Sequence, residues 1–184
     1  MPSRRRFAAA LFVLAMLLAP GAFAGPAGPA IGDAPPVTLL GKDRAGQAVD
    51  LAQLRGKVVV VTFWASWCGY CLKELPQLDA LQQHAGERLL RVVAVNVKDD
   101  NDDYRAMMRQ MKDYGIAMVR DRNGEIADAW GITAYPNLWI IDTQGRIAAH
   151  HRGYAEDALE GIVDDINRAL RATSPAGNAA PAGS

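Results

Sequence analysis

The chain has 184 residues, 50% of them hydrophobic, with 20 basic residues against 20 acidic ones. That is enough chain for one compact domain with a buried core and too little for two. The balanced charge, with no long basic stripe, argues against nucleic acid as a partner.

The N-terminal segment, residues 1–24, reads as a targeting signal. Arg4, Arg5 and Arg6 form a positive head, Phe7–Ala19 is an apolar run of 13 residues, and Ala22-Phe23-Ala24 is a small-residue cleavage site. Such a run is too short to span a bilayer comfortably. A cleaved signal peptide is therefore expected, with retention as a membrane anchor the alternative. No twin-arginine consensus follows the arginines, which leaves the general secretory route. The domain is expected to be periplasmic or otherwise exported, soluble after cleavage, where disulfides persist. Gly25–Pro36 is rich in Gly, Pro and Ala and reads as a mobile linker. Thr173–Ser184 has the same character and reads as a disordered tail. One folded domain is expected over residues 37–172.

Within it, Val37–Leu40 and Ala48–Asp50 flank a polar turn and predict a β-hairpin. Leu51–Leu54 allows one short helical turn. Val58–Trp64 (VVVVTFW) is nearly unbroken in β-branched and aromatic residues, the pattern of a central strand buried on both faces. Leu72–His84 follows a helical period, with Leu72, Leu75, Leu78 and Leu81 on one side. Leu89–Val97 predicts a second buried strand, and Asp102 or Asp103 is placed to N-cap a helix reaching Tyr114. Ile126–Trp130 predicts a short helix. Leu138–Ile141 and Ile147–His151 predict two strands around an Asp142-Thr143-Gln144-Gly145 turn. Ala155–Ala172 predicts a terminal helix with Leu159, Ile162, Val163, Ile166 and Leu170 inward. The order is a β-hairpin, then βαβα, then ββα. It predicts an α/β fold with a mixed central sheet and helices on both faces.

Both cysteines fall in W-A-S-W-C-G-Y-C, Trp64 to Cys71, between the first long strand and the leucine-rich helix. Three readings compete. A structural disulfide across so short a loop removes little unfolded-state entropy and makes a poor staple. A metal site usually needs four ligands, and C-x-x-C supplies two. His84 lies at the far end of the helix, and His150 and His151 point to opposite faces of one strand, so no metal site is expected. A redox-active pair needs two thiols where a strand ends and a helix begins, which this segment supplies. On that reading Cys68 sits where orphan N–H groups and the helix dipole favour a thiolate. Cys68 would attack a partner's disulfide, and Cys71, one turn on and more buried, would resolve the mixed disulfide. Run backwards, the same steps oxidise a dithiol. Gly69 permits the tight entry into the helix. Tyr70 is either an aromatic contact for a partner or a filler.

The stretch V-V-V-V-T-F-W-A-S-W-C-G-Y-C-L-K-E-L-P resembles the active-site segment of the thioredoxin superfamily, and most of all its TlpA/ResA-like branch of exported thiol–disulfide oxidoreductases. The run W-G-I-T-A-Y-P-N-L-W-I-I-D and the turn T-Q-G-R support the resemblance, which covers Ile31 to Arg171. It implies a thioredoxin-like fold with an N-terminal hairpin extension, a nucleophilic Cys68 and a resolving Cys71. It also implies that Pro136 is the cis-proline facing the pair, leaving the backbone of Tyr135 open to a substrate strand, and that Pro76 is the helix-kinking proline. Glu74 matches a glutamate that the family's exported reductases often carry three residues after the second cysteine. That spacing puts it on the Cys71 side of the helix, where a partly buried carboxyl would titrate high and relay a proton for Cys71. An exposed helix glutamate is the alternative. Thr62 stands where cytosolic thioredoxins carry a buried aspartate, which makes Glu74 the better relay. Gly69-Tyr70 departs from the branch, whose reductases often have proline before the second cysteine, and is similar to disulfide isomerases. Those carry a separate dimerisation domain, for which this chain has no room.

Trp64 is expected in the core. Trp67, Gly69, Tyr70, Tyr135 and Pro136 are expected to form the client-contact surface. The cluster Lys98–Asp103 lacks the Gly and terminal Glu of a calcium-binding EF-hand loop and reads as a solvated, helix-capping loop. Met107, Met108, Met111 and Met118 read, at helical spacing, as core packing or a soft contact surface rather than a copper site. No bound organic cofactor is expected beyond the Cys68–Cys71 disulfide itself. The expected function is that of an exported thiol–disulfide oxidoreductase that reduces client proteins as a monomer. The resemblance implies a membrane reductase as its electron donor. An isomerase- or oxidase-like variant, favoured by Gly69-Tyr70, and a client- or metal-binding module with minor redox activity are the alternatives.

Overall fold

The computed structural model of the protein describes residues 28–155 and 158–172. The expected signal segment and C-terminal tail lie outside the described residues. A mixed sheet forms around β3 (Val58–Trp64), which is buried at every position. Strand β4 (Leu90–Val97) pairs with it in parallel, and β5 (Ala117–Asp121) extends the sheet in parallel beyond β4. On the other side β6 (Asn137–Ile141) runs antiparallel to β3, and β7 (Ile147–Arg152) antiparallel to β6. The order is β5-β4-β3-β6-β7. Parallel neighbours need crossovers. Helix α1 (Gly69–Ala85) joins β3 to β4, and α2 (Asn101–Gln110) joins β4 to β5. Helix α3 (Glu125–Ala129) follows β5, and α4 (Ala158–Arg171) follows β7. Ahead of the sheet, β1 (Leu39–Lys42) and β2 (Ala48–Asp50) form the predicted hairpin and lead into one 3-10 turn, Leu51–Leu54. Among the described residues no helix is long and apolar enough to cross a membrane.

The two-residue period of a strand divides the core. Val58, Val60 and Trp64 pack with Leu75 and Leu78 of α1, Met107 of α2, and Ile162 and Ile166 of α4. Val59, Val61 and Phe63 pack on the opposite face with Leu40, Leu51, Ala127 and Trp130. By the same alternation Thr62 belongs to the α1 face. Leu72 and Leu81 are only partly buried; the inner face of α1 is instead completed by Glu74, Asp79 and Gln82.

Five sequence-based expectations are corrected. Strand β5 was missing from the expected order, because Arg120 and Asp121 break its apolar run. It forms because β4 offers an open edge, in register from Val93↔Ala117 to Val97↔Asp121. Met118 is therefore a strand residue of the core rather than part of a helical methionine set. The N-cap of α2 is Asp100, not Asp102 or Asp103. Its Oδ1 accepts from both Asp102 N and Asp103 N, at 2.9 and 2.8 Å. The helix ends at Gln110, well short of Tyr114. Beyond it the Arg44 guanidinium donates to the Met111 and Tyr114 carbonyls at 2.8 and 2.6 Å. Residues 28–36, the described part of the expected linker, are tied to the domain. Gly32 N–H donates to Ile147 O at 2.8 Å, and Ile147 N–H to Asp33 O at 2.9 Å. The outer edge of β7 offers unpaired backbone groups that this stretch satisfies. Gly41, at φ +106°, lets the hairpin approach β5; a Cβ there would meet Val119 Cγ1 at 3.3 Å.

Gln82 does the work of a missing strand. Its Oε1 accepts from Val92 N at 2.7 Å, just before the first β4–β5 pair, and its Nε2 donates to Gly115 O at 3.1 Å. Asp79 Oδ1 accepts from Gly115 N at 2.8 Å. Gln82→Ala would leave a buried N–H without a partner, and should destabilise the oxidised protein by about 2 kcal/mol in urea titrations. An unchanged midpoint would refute this account of how α1 is sewn to β4.

Candidate active site

Between β3 and α1 the chain makes one tight turn, in which Cys68 N–H donates to Ala65 O at 3.1 Å. Cys68 is the N-cap residue of α1, and its Sγ accepts the Cys71 N–H at 3.1 Å. The two sulfurs are bonded, 2.05 Å apart. The unpaired N–H groups and the dipole of α1 favour negative charge at this end of the helix, where Cys68 Sγ lies. Cys68 keeps 7% of its surface exposed against 1% for Cys71, so Cys68 is the more accessible of the two sulfurs.

Two aromatic pairs rim the disulfide. Trp67 and Tyr70 are among the exposed large hydrophobic side chains, at 72% and 58%. Trp67 meets Tyr135 edge-on with ring centroids 5.6 Å apart. Tyr70 stacks on Tyr154 at 5.6 Å, with the Lys73 ammonium 5.6 Å from its own ring. Gly69 is exposed and Pro136 is buried. The Tyr135–Pro136 bond is cis. Tyr135 stands just ahead of the β6 ladder, whose first pair with β3 is Phe63↔Asn137.

Glu74, one turn beyond Cys71, points inward and is 4% exposed. The Thr62 hydroxyl donates to its Oε1 at 2.8 Å. Burial pushes the Glu74 carboxyl up to about 7, with the Thr62 hydrogen bond opposing the shift. The exposed-glutamate alternative is thereby removed. Two of the three histidines have other partners. His84 is exposed, His150 stacks on Trp139 and bonds Asn137 Oδ1 at 2.9 Å, and His151 pairs with Asp165 at 2.9 Å. Among the described residues no group of three or more His, Cys, Asp or Glu is placed to hold a metal ion.

Two neighbours of the site escaped the sequence reading. Tyr154 reaches Tyr70 because Gly153 N–H donates to Pro136 O at 2.9 Å, so the residue after β7 arrives beside the proline. Asp99, expected in a solvated loop, is buried and accepts the Ser66 N–H at 2.8 Å. For Asp99 the sequence signal was only its place just beyond a predicted strand. Parallel strands in the register Trp64↔Asn96 bring the residues after both C-terminal ends together.

The family model described as Redoxin matches residues 30–170. A relative named thiol:disulfide interchange protein DsbE homolog, from Paracoccus denitrificans, is 34% identical over 155 residues, covering 83% of this chain and 80% of that protein. The thiol-disulfide oxidoreductase ResA of Bacillus subtilis is 32% identical over 117 residues, covering 62% of this chain and 63% of its own length. The crystal structure of a candidate thiol:disulfide interchange protein DsbE from Chlorobium tepidum matches with a TM-score of 0.70 at 28% identity, covering 77% of this chain and 98% of that one.

The raised Glu74 pKa carries a stability signature. The protonated form favours the fold, so the contribution is complete below the ordinary value of 4.5 and is lost as pH rises through about 7. At its fullest it is about 3 kcal/mol. His150 has the opposite slope. Burial first, then the Arg152 and His151 charges, push it from 6.5 down to about 4, so its contribution is lost as pH falls through that window. Comparing wild type with Glu74→Gln cancels the histidine. The stability advantage of wild type over the variant should shrink by about 3 kcal/mol between about pH 4.5 and pH 8 in denaturant titrations of the oxidised proteins. A pH-independent difference would show that the carboxyl is solvated.

Proposed function

The chain belongs to the redoxin family and is a thiol–disulfide oxidoreductase, and on that premise we propose that it reduces client disulfides outside the cytoplasm, with Cys68 attacking, Cys71 resolving and Glu74 relaying a proton. The observation that carries this reading is the asymmetry of the pair. Cys68 is the reachable N-cap sulfur, and Cys71 is buried with a high-pKa carboxyl one turn behind it.

In the reduced protein the Cys68 thiolate attacks one sulfur of a client disulfide. That S–S bond breaks, a Cys68–client disulfide forms, and the released client sulfur takes a proton from water. Cys71 then passes its proton to the Glu74 carboxylate and attacks Cys68 Sγ. The second client sulfur leaves and is protonated. Two electrons have passed to the client, and the Cys68–Cys71 disulfide remains. A carboxyl titrating near 7 both accepts and gives up a proton at neutral pH, which suits it to this step. The redox group is the cysteine pair itself, without a further cofactor. Trp67, Gly69, Tyr70, Tyr135 and Pro136 form the surface against which an extended client segment lies, with the Tyr135 backbone as its pairing edge. Return to the dithiol takes two electrons from a dithiol donor. In the exported compartment that residues 1–24 imply, a membrane reductase fills that role, and the protein acts as a monomer.

Cys71→Ser, reduced and mixed with an extract of the exported compartment, should accumulate mixed disulfides through Cys68, visible on non-reducing gels and by mass spectrometry. Cys68→Ser should accumulate none. Equilibrium with glutathione buffers separates reductase from oxidase- or isomerase-like action. A potential more negative than about −230 mV fits the reductase, and one near about −120 mV, that of strong oxidants, would sink it.

A further inference from the structure

The turn that carries Cys68 is anchored from the β4 side by one buried carboxylate. Ser66 N–H donates to Asp99 Oδ2 at 2.8 Å, and Asn96 Nδ2 donates to the same oxygen at 2.6 Å. Asp99 is 6% exposed. Its acidic neighbours serve α2: Asp100 caps the helix, and Asp102 and Asp103 lie exposed in the first turn. Asp99 turns the other way because of the residue before it. Lys98 has φ +59°, the only positive φ of a non-glycine residue among the described residues. A side-chain-bearing residue holds that conformation only where its surroundings impose it. Here they do. Lys98 N–H donates to Asp121 O at 3.0 Å, and Arg120 donates to Asp99 O and to Asn101 Oδ1, each at 2.8 Å. With the backbone held on both sides, the carboxylate is delivered to the Ala65–Cys68 turn.

We infer that Asp99 is a positioning residue for the nucleophile: by holding the Ser66 amide it keeps the Ala65–Cys68 turn closed and Cys68 Sγ at the N-terminus of α1. The inference rests on Cys68 as the attacking cysteine. A loosened turn moves the sulfur away from the Cys71 N–H and the helix dipole, so the thiol pKa rises and the thiolate fraction falls. The charge of Asp99 acts in the opposite sense, since a nearby anion disfavours a thiolate. The two effects separate because an asparagine at 99 can accept the Ser66 N–H without the charge. Asn96 accommodates the change. Its Nδ2 donates to the same oxygen that accepts from Ser66, and it keeps that bond when the oxygen belongs to an asparagine amide.

The test uses the reduced full chain, alkylated with iodoacetamide across pH, with the labelled cysteine identified by mass spectrometry. Asp99→Asn and Asp99→Ala both lack the charge, so their difference isolates the hydrogen bond. Asp99→Ala should react at Cys68 about threefold more slowly than Asp99→Asn at neutral pH, with a thiol pKa about half a unit higher. Adding Ser66→Pro to Asp99→Ala removes the stranded N–H and pre-sets the second residue of the turn, where proline is favoured. The double variant should recover the Asp99→Asn rate. Equal rates for Asp99→Asn and Asp99→Ala, or no recovery in the double variant, overturn the inference. Labelling of wild type at Cys71 instead would overturn the assignment of the nucleophile, a separate failure. Asp99→Ser, too short to reach Ser66, replaces Asp99→Ala if that variant does not fold.

Discussion

Strand β3 is sealed on both faces and paired on both edges, and the site follows from that confinement. A chain leaving such a strand has one exit, at its C-terminal end. The parallel partner β4 then requires a crossover, so a helix must start there. Its first N–H groups have no helical partners, and Cys68 stands among them. The same strand sets the surroundings. Alternation puts Thr62 on the α1 face, opposite Glu74. The parallel register carries the end of β4 to Ser66, and the antiparallel register brings the start of β6, with Pro136 just before it, to the same end of the sheet.

Two features here break ordinary rules of stability. A carboxyl on the inner face of a helix costs free energy when ionised, and Glu74 answers by titrating near 7. A lysine in the left-handed region costs backbone strain, and Lys98 accepts it with Asp99 beside it. Both departures adjoin the strand–turn–helix that holds the cysteines. Local conflicts of this kind concentrate at working sites, where the fold spends stability on placement. The rim is built by stacking instead. Tyr70, set between the two cysteines, is steadied by Tyr154.

Much of the architecture was legible because its signals are local. An apolar β-branched run, a leucine period and turn residues fall within short windows, and they located β3, β4, β6, β7, α1 and the hairpin. Strand β5 was not legible, since its identity comes from the edge that β4 offers rather than from its own mixed composition. The docking of residues 28–36 failed for the same reason. Gly, Pro and Ala describe what a segment can do alone, not which open strand edge it meets.

By itself the sequence determined the strand–turn–helix around Cys68 and Cys71 and the unequal positions of the two thiols, while its resemblance to a known family supplied the Glu74 and Tyr135–Pro136 candidates. Strand burial, helix onset and three-residue spacing are all short-range constraints. Only the tertiary structure decided that Glu74 is buried against Thr62, that Asp99 turns in to Ser66 across 33 residues, and that Tyr154 lies on Tyr70. Those contacts depend on the register between strands and on which face of each element meets another. Register and facing emerge only when the whole sheet is assembled.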